Sequence, residues 1–108
     1  MTKSYEVLKD FRARIDALDD KIVDLLIERI GIIREVAKIK HQHQIPAVLE
    51  DRIAEVIDRA GDRAEAKLQN QATQDGIEDD ADRIREVYAL LVVICCDLEE
   101  EYIASQAA

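Results

Sequence analysis

Helix breakers and loop formers are scarce, with one proline and three glycines in 108 residues. Gly31, Gly61 and Gly76 stand singly, so no glycine-rich loop is available to cradle a phosphate, and nothing in the chain signals a strand or an internal repeat. The two cysteines, Cys95 and Cys96, are adjacent, which argues against an ordinary disulfide between them and leaves no zinc-ligand spacing. His41 and His43 flank Gln42 without a third ligand, so they read as solvated loop residues and no metal is expected. No Ser, Cys or His has a recognisable nucleophilic partner, and covalent catalysis is not indicated. No segment approaches the roughly 18 apolar residues of a membrane span, and the first ten residues, MTKSYEVLKD, lack the apolar run of a secretion signal. These absences predict a soluble cytoplasmic protein with reduced thiols. Positive charge is also in deficit: 15 Lys and Arg against 24 Asp and Glu give a formal charge of −9. That balance argues against nucleic acid or an anionic membrane as the partner.

What the chain does have is helical periodicity. From Arg12 to Lys40 it reads RARIDALDDKIVDLLIERIGIIREVAKIK, and from Phe11 through Ile15, Leu18, Ile22 and Leu25 to Ile39 its apolar residues recur at three- and four-residue steps. The pattern predicts one helix from about Ser4, its N-cap, to about His41, with residues 1–3 frayed. Gly31 inside it costs about 1 kcal/mol against alanine, and reads equally as a tolerated surface glycine or as a point of close helix approach. Such a helix exceeds about 50 Å in length, whereas a compact chain of this size has a radius of gyration near ~13 Å. An intertwined oligomer is the economical way to cover it. Residues 41–48 break the pattern, and Pro46 cannot sit in a helix interior, so the first connection falls there. A second helix from about Leu49 to Asn70 carries Ile53, Val56, Ile57, Ala60, Ala64 and Leu68 on one side, with fraying expected after Ala64 because of Gly61. The polar run Gln69 to Asp75, ended by Gly76 as a helix stop, is the second connection. A third helix from about Asp79 to Ser105 places Asp79, Asp80 and Asp82 at its positive end. The fold class is therefore all-α: a single domain over 1–108, with three helices, the first very long.

Cations are set into these apolar faces. Arg29 and Lys40 are eleven residues apart, three turns, so they share nearly one azimuth about 16 Å apart along the axis. Arg12, seventeen residues before Arg29, lies about 25 Å away along the axis, too far to share a small ligand with it on one straight helix. A second chain would have to supply it. Arg52 is a further candidate at the start of the second helix, and Glu99 falls on the apolar face of the third, four residues after Cys95. Each cation alone is explained by an aliphatic stem lying on apolar surface with its head in water. Together they suit a small polyanion, since arginine grips a carboxylate with two parallel hydrogen bonds and lysine gives a point charge to a developing negative oxygen.

The first-helix residues carry a resemblance. Phe11-Arg12, Ile15-Asp16, Leu18-Asp19, Arg29 and Lys40 fall without a gap on the first helix of the all-helical chorismate mutase family, and the likeness continues more weakly through Pro46, Arg52 and the third helix. It implies an intertwined homodimer with two shared sites and no cofactor, rearranging chorismate to prephenate. In that reading Arg29 grips one substrate carboxylate and the partner copy's Arg12 the other. Lys40 meets the ether oxygen, Arg52 supports the carboxylate end, and Cys95, at a small polar site position, either contacts a carboxylate weakly or simply packs as a small hydrophobe. Glu99 falls where the family hydrogen-bonds the ether oxygen, commonly with Gln, so as a carboxyl it must carry a proton to donate.

The sequence departs from the family at the start of the second helix. Leu49 and Ile53 stand where an Asp and a Glu typically hold the ring hydroxyl, with Glu50 or Asp51 available in a shifted register. The isochorismate pyruvate lyases, of the same fold, also lack that acidic pair and are the rival within the resemblance. A non-catalytic helical dimerisation module is the rival outside it.

Overall fold

The computed structural model describes residues 4–70 and 76–106, which form three helices and, among those residues, no strand: α1 Ser4–Gln42, α2 Glu50–Leu68 and α3 Ile77–Gln106. The order and type of the elements follow the apolar periodicity. The expected fraying of residues 1–3, the cap at the Ser4 side chain and most of the Gln69 to Asp75 connection lie outside what is described. None of the described helices is long and apolar enough to cross a membrane.

The chain divides into two compact units, Met1–Ile33 and Arg34–Ala108. The first is the greater part of α1. Its apolar ladder is open in the single chain, with Phe11 56%, Ile15 54%, Leu18 57% and Leu25 63% exposed. Gly31 has open space where a Cβ would stand, so within this chain it is a tolerated glycine and not a point of close approach.

The second unit holds the end of α1, the first connection, α2 and α3. Its buried apolar residues are small or medium: Ala37, Ala47, Ala81, Val92 and Cys95. Two side-chain contacts join the end of α1 to α3, the Lys40–Glu99 ion pair and an edge-on ring contact between His41 and Tyr102 with centroids 6.2 Å apart. α2 and α3 pack on each other, and α2 is the most strongly amphipathic of the three.

Two sequence expectations change. α2 does not fray after Ala64 but runs to Leu68, and Gly61 is buried beneath the Arg85 guanidinium of α3. That guanidinium donates to Glu65 at 3.0 Å and to Asp82 at 2.9 Å, and lies 3.5 Å from Asp62, so glycine is what admits the ion pairs that tie α3 to α2. These partners, Glu65 first, also raise the Arg85 pKa. The second change concerns Gly76, which opens α3 and does not close α2. Its φ of +77° is the left-handed region glycine adopts freely, and its carbonyl accepts the first bond of α3 from the Asp80 N–H at 2.8 Å.

Candidate active site

The second unit brings Lys40 and Glu99 together. Lys40 sits in the last turn of α1, where the negative end of the helix dipole favours a cation. Its Nζ lies 2.7 Å from Glu99 Oε1, the two side chains being 14% and 5% exposed. The approach is that of an ion pair without hydrogen-bond alignment, so Oε1 is buried with no hydrogen-bond donor. Lys40 Nζ does donate to the Ala47 carbonyl, at 2.9 Å. An ammonium has three N–H groups, and here one is committed to backbone while the charge is balanced by Glu99. The arrangement offers a dehydrated donor and a carboxyl side by side, suited to an oxygen that gains charge during a reaction.

The turn that carries Ala47 has a defined local cause. α1 ends in a Schellman motif: the Ile45 N–H donates to the Lys40 carbonyl at 2.8 Å, and the Gln44 N–H to the His41 carbonyl at 3.3 Å. The motif requires a left-handed residue after the helix, and Gln44 supplies it with φ of 57°. Pro46 then keeps Ile45 extended and the helix from resuming. α2 starts after Leu49, whose φ of −118° and ψ of 97° fit a cap but whose side chain makes no capping bond. Glu50 and Asp51 in the first turn suit the helix dipole instead.

The other expected site residues are distributed as follows. Cys95 is buried. Its neighbour Cys96 is partly exposed, and burial pushes its thiol pKa up, with Glu99 adding to the rise and Lys40 opposing it. Arg52 is exposed and pairs with Glu55 on its own helix. Ile53 is half-buried and Leu49 lies at the surface, so neither gives the start of α2 a polar group to hold a hydroxyl. Arg12 and Arg29 belong to the first unit, the former exposed and the latter half-buried, and both make polar contacts there or elsewhere in the chain. No cluster of His, Cys, Asp or Glu among the described residues could hold a metal ion. A groove of about 560 Å³ runs between the first connection and the end of α3, lined by Lys40, Ile45, Pro46 and Ile103 among others. Glu99 does not line it, so the groove and the ion pair share only Lys40. Sequence reasoning named Lys40 and Glu99 but missed Ala47 and Gln44. A backbone acceptor leaves no trace in residue type, and a glutamine gives no sign of positive φ.

Comparison with known proteins bears on this arrangement. The profile of the family described as chorismate mutase type II matches residues 11–100. A 4-amino-4-deoxychorismate mutase of Streptomyces pristinaespiralis is 33% identical over 101 residues, 94% of this chain and 70% of that protein. A T-protein of Haemophilus influenzae is 40% identical over 47 residues, 44% of this chain, but the match spans only 12% of the T-protein. A chorismate mutase of Methanocaldococcus jannaschii is 39% identical over 54 residues, 50% of this chain and 54% of that enzyme. No solved structure gives a significant match. With a family profile running from Phe11 on α1 to Glu100 on α3, and a relative aligned along nearly its whole length, the chain belongs to the chorismate mutase type II family.

Proposed function

We propose that this protein is a chorismate mutase that works as a homodimer, converting chorismate to prephenate in aromatic amino acid biosynthesis. The observation that carries the reading is the juxtaposition of Lys40 and Glu99 in a buried, dehydrated setting within a chain of this family. The reaction is a unimolecular rearrangement: the ether carbon–oxygen bond breaks while a carbon–carbon bond forms, and no proton or electron is exchanged with the protein. Catalysis then reduces to holding a dianion in its reactive, chair-like conformer and stabilising charge on the departing oxygen. Arg29 and the partner copy's Arg12 take the two carboxylates, and Arg52 supports one of them on leaving Glu55. Lys40 donates to the ether oxygen, with Glu99 beside it at that end of the substrate. Cys95 packs beside them. No cofactor or metal enters the scheme.

The homodimer is supported by what the single chain leaves uncovered. Phe11, Ile15, Leu18, Ile22 and Leu25 form a helical stripe of large apolar side chains, and among the described residues no large side chain is fully buried. A second copy that covers this stripe also brings its Arg12 to the site. The cytoplasm, which keeps Cys95 and Cys96 as thiols, is the compartment that fits.

A second reading of the substrate comes from the Streptomyces relative, whose name specifies the 4-amino analogue. At the start of α2, Leu49 and Ile53 themselves offer no carboxylate to select a hydroxyl at that ring position, which leaves only their neighbours Glu50 and Asp51 to do so. Purified protein should be assayed with chorismate, 4-amino-4-deoxychorismate and isochorismate. Prephenate from chorismate is the expected result. Turnover confined to the amino analogue would transfer the activity to that substrate, and salicylate and pyruvate from isochorismate without prephenate would overturn the mutase reading. If no substrate turns over and no bicyclic dicarboxylate raises the melting temperature, the chain is a helical dimerisation module.

A further inference from the structure

We infer that the turn between α1 and α2 is a positioning device for the Lys40 ammonium, with Gln44 and Ala47 as its positioning residues. The inference rests on the reading of Lys40 as the group that meets the departing oxygen. Lysine is a point charge on a flexible four-carbon stem, so the location of its ammonium must be imposed from outside. Here the same short turn holds Lys40 at both ends. Its main-chain carbonyl accepts the Ile45 N–H at 2.8 Å, and its Nζ donates to the Ala47 carbonyl at 2.9 Å. The chain from Lys40 to Ala47 thus closes a ring through the side chain itself.

Each residue in that ring has a part. Gln44 makes the reversal possible by taking φ of 57°, which brings Ile45 back onto Lys40. Pro46 removes one backbone freedom and keeps Ile45 extended, which fixes the step from Ile45 to Ala47. Ala47 is buried, so its carbonyl is held against Lys40 and away from water. With one N–H spent on that carbonyl and Glu99 Oε1 at 2.7 Å, the directions of the two remaining N–H groups are set before substrate arrives. A lysine that merely capped the helix end would serve stability alone, and its turn could be altered without touching the chemical step.

Kinetics of three variants separate these cases. Gln44→Gly keeps the left-handed turn without a side chain and should retain kcat within about twofold. Gln44→Val places a β-branched residue where φ is positive, and one glycine inserted between Ile45 and Pro46 moves the Ala47 carbonyl off Lys40 whatever the turn does. In both, kcat for chorismate should fall by on the order of 10 to 10² while KM stays within about threefold, the signature of a displaced group acting in the transition state. Gln44 is exposed, so Gln44→Val leaves the packed interior untouched and strains only the turn itself. Wild-type kcat in either variant, with native helicity and a cooperative melt, overturns the inference. Failure of the underlying reading looks different: there the unaltered protein makes no prephenate, or Lys40→Met leaves kcat unchanged.

Discussion

Replacing Lys40 with methionine tests the buried pair most sharply, because it removes the ammonium and keeps most of the stem. In the unaltered chain Glu99 Oε1 has no hydrogen-bond donor, and its compensating charge is the ammonium 2.7 Å away. The two side chains are 14% and 5% exposed, so water cannot take over that role. Breaking a buried pair by removing one partner costs about 3–5 kcal/mol, and the lost bond to Ala47 adds about 1 kcal/mol. For a domain of this size each kcal/mol moves the melting temperature by roughly 4–8 °C, so Lys40→Met should lower it by about 15–50 °C at fixed protein concentration. Adding Glu99→Leu should restore most of the loss, since two apolar residues of similar volume replace a buried ion pair at little net cost. Activity should not return with stability, because the donor to the ether oxygen is still missing and kcat remains down by on the order of 10²–10³. Thermal and urea denaturation followed by circular dichroism give both numbers. A cost under about 1 kcal/mol for Lys40→Met, the range of an exposed pair, would refute the reasoning, as would a double variant no more stable than the single one.

The remaining predictions address the carboxyl beside Lys40, subunit exchange and thiol chemistry. Glu99→Gln, which puts an amide N–H donor beside Lys40 in place of a carboxylate oxygen, should raise kcat for chorismate; a fall of tenfold or more counts against placing Glu99 at the ether oxygen. Mixing Arg12→Ala and Arg29→Ala chains, each inactive alone, should recover about a quarter of wild-type activity, because half the dimers are mixed and each carries one intact site. No recovery after unfolding and refolding together would place both arginines in the same subunit's site. Because burial, then Glu99, raises the Cys96 pKa, its thiolate is scarcer near neutral pH than that of an ordinary cysteine. Iodoacetamide labelling followed by mass spectrometry should therefore be slow near pH 7 and rise about tenfold per pH unit past the ordinary thiol range without levelling. A plateau at or below that range is the contrary result.

The helices were legible because their cause is local. Apolar residues three and four apart from Phe11 to Ile39 admit no other regular structure, and Pro46 ends the run wherever it falls. What could not be read depends on contacts between distant residues. Gly61 looked like a weak point because propensity counts only its own helix, whereas Arg85, twenty-four residues on, occupies the space its missing side chain leaves. Gly76 looked like a stop because glycine serves both ends of helices, and only the bond from Asp80 decides which. In the candidate site, Lys40 and Glu99 could be named from their register and from a family likeness, and the structure brings them together. The Ala47 carbonyl could not, because every residue has one and only the turn geometry selects it. Arg52 shows the reverse case, a residue named from register whose partner in the single chain is its helical neighbour Glu55.

The open apolar ladder on the first part of α1 has a consequence for how the enzyme exists at low concentration. A helix with no tertiary partner for its apolar face is marginal in water, so in the proposed homodimer the ordering of this segment and the arrival of a second copy are one event. Arg12 and Arg29 ride on that segment, and on the proposed reading the grip on both carboxylates rides with them. On that reading catalysis is a mass-action property of the solution. Specific activity should trace a binding curve as the protein is diluted, with the half-way point reporting the subunit dissociation constant.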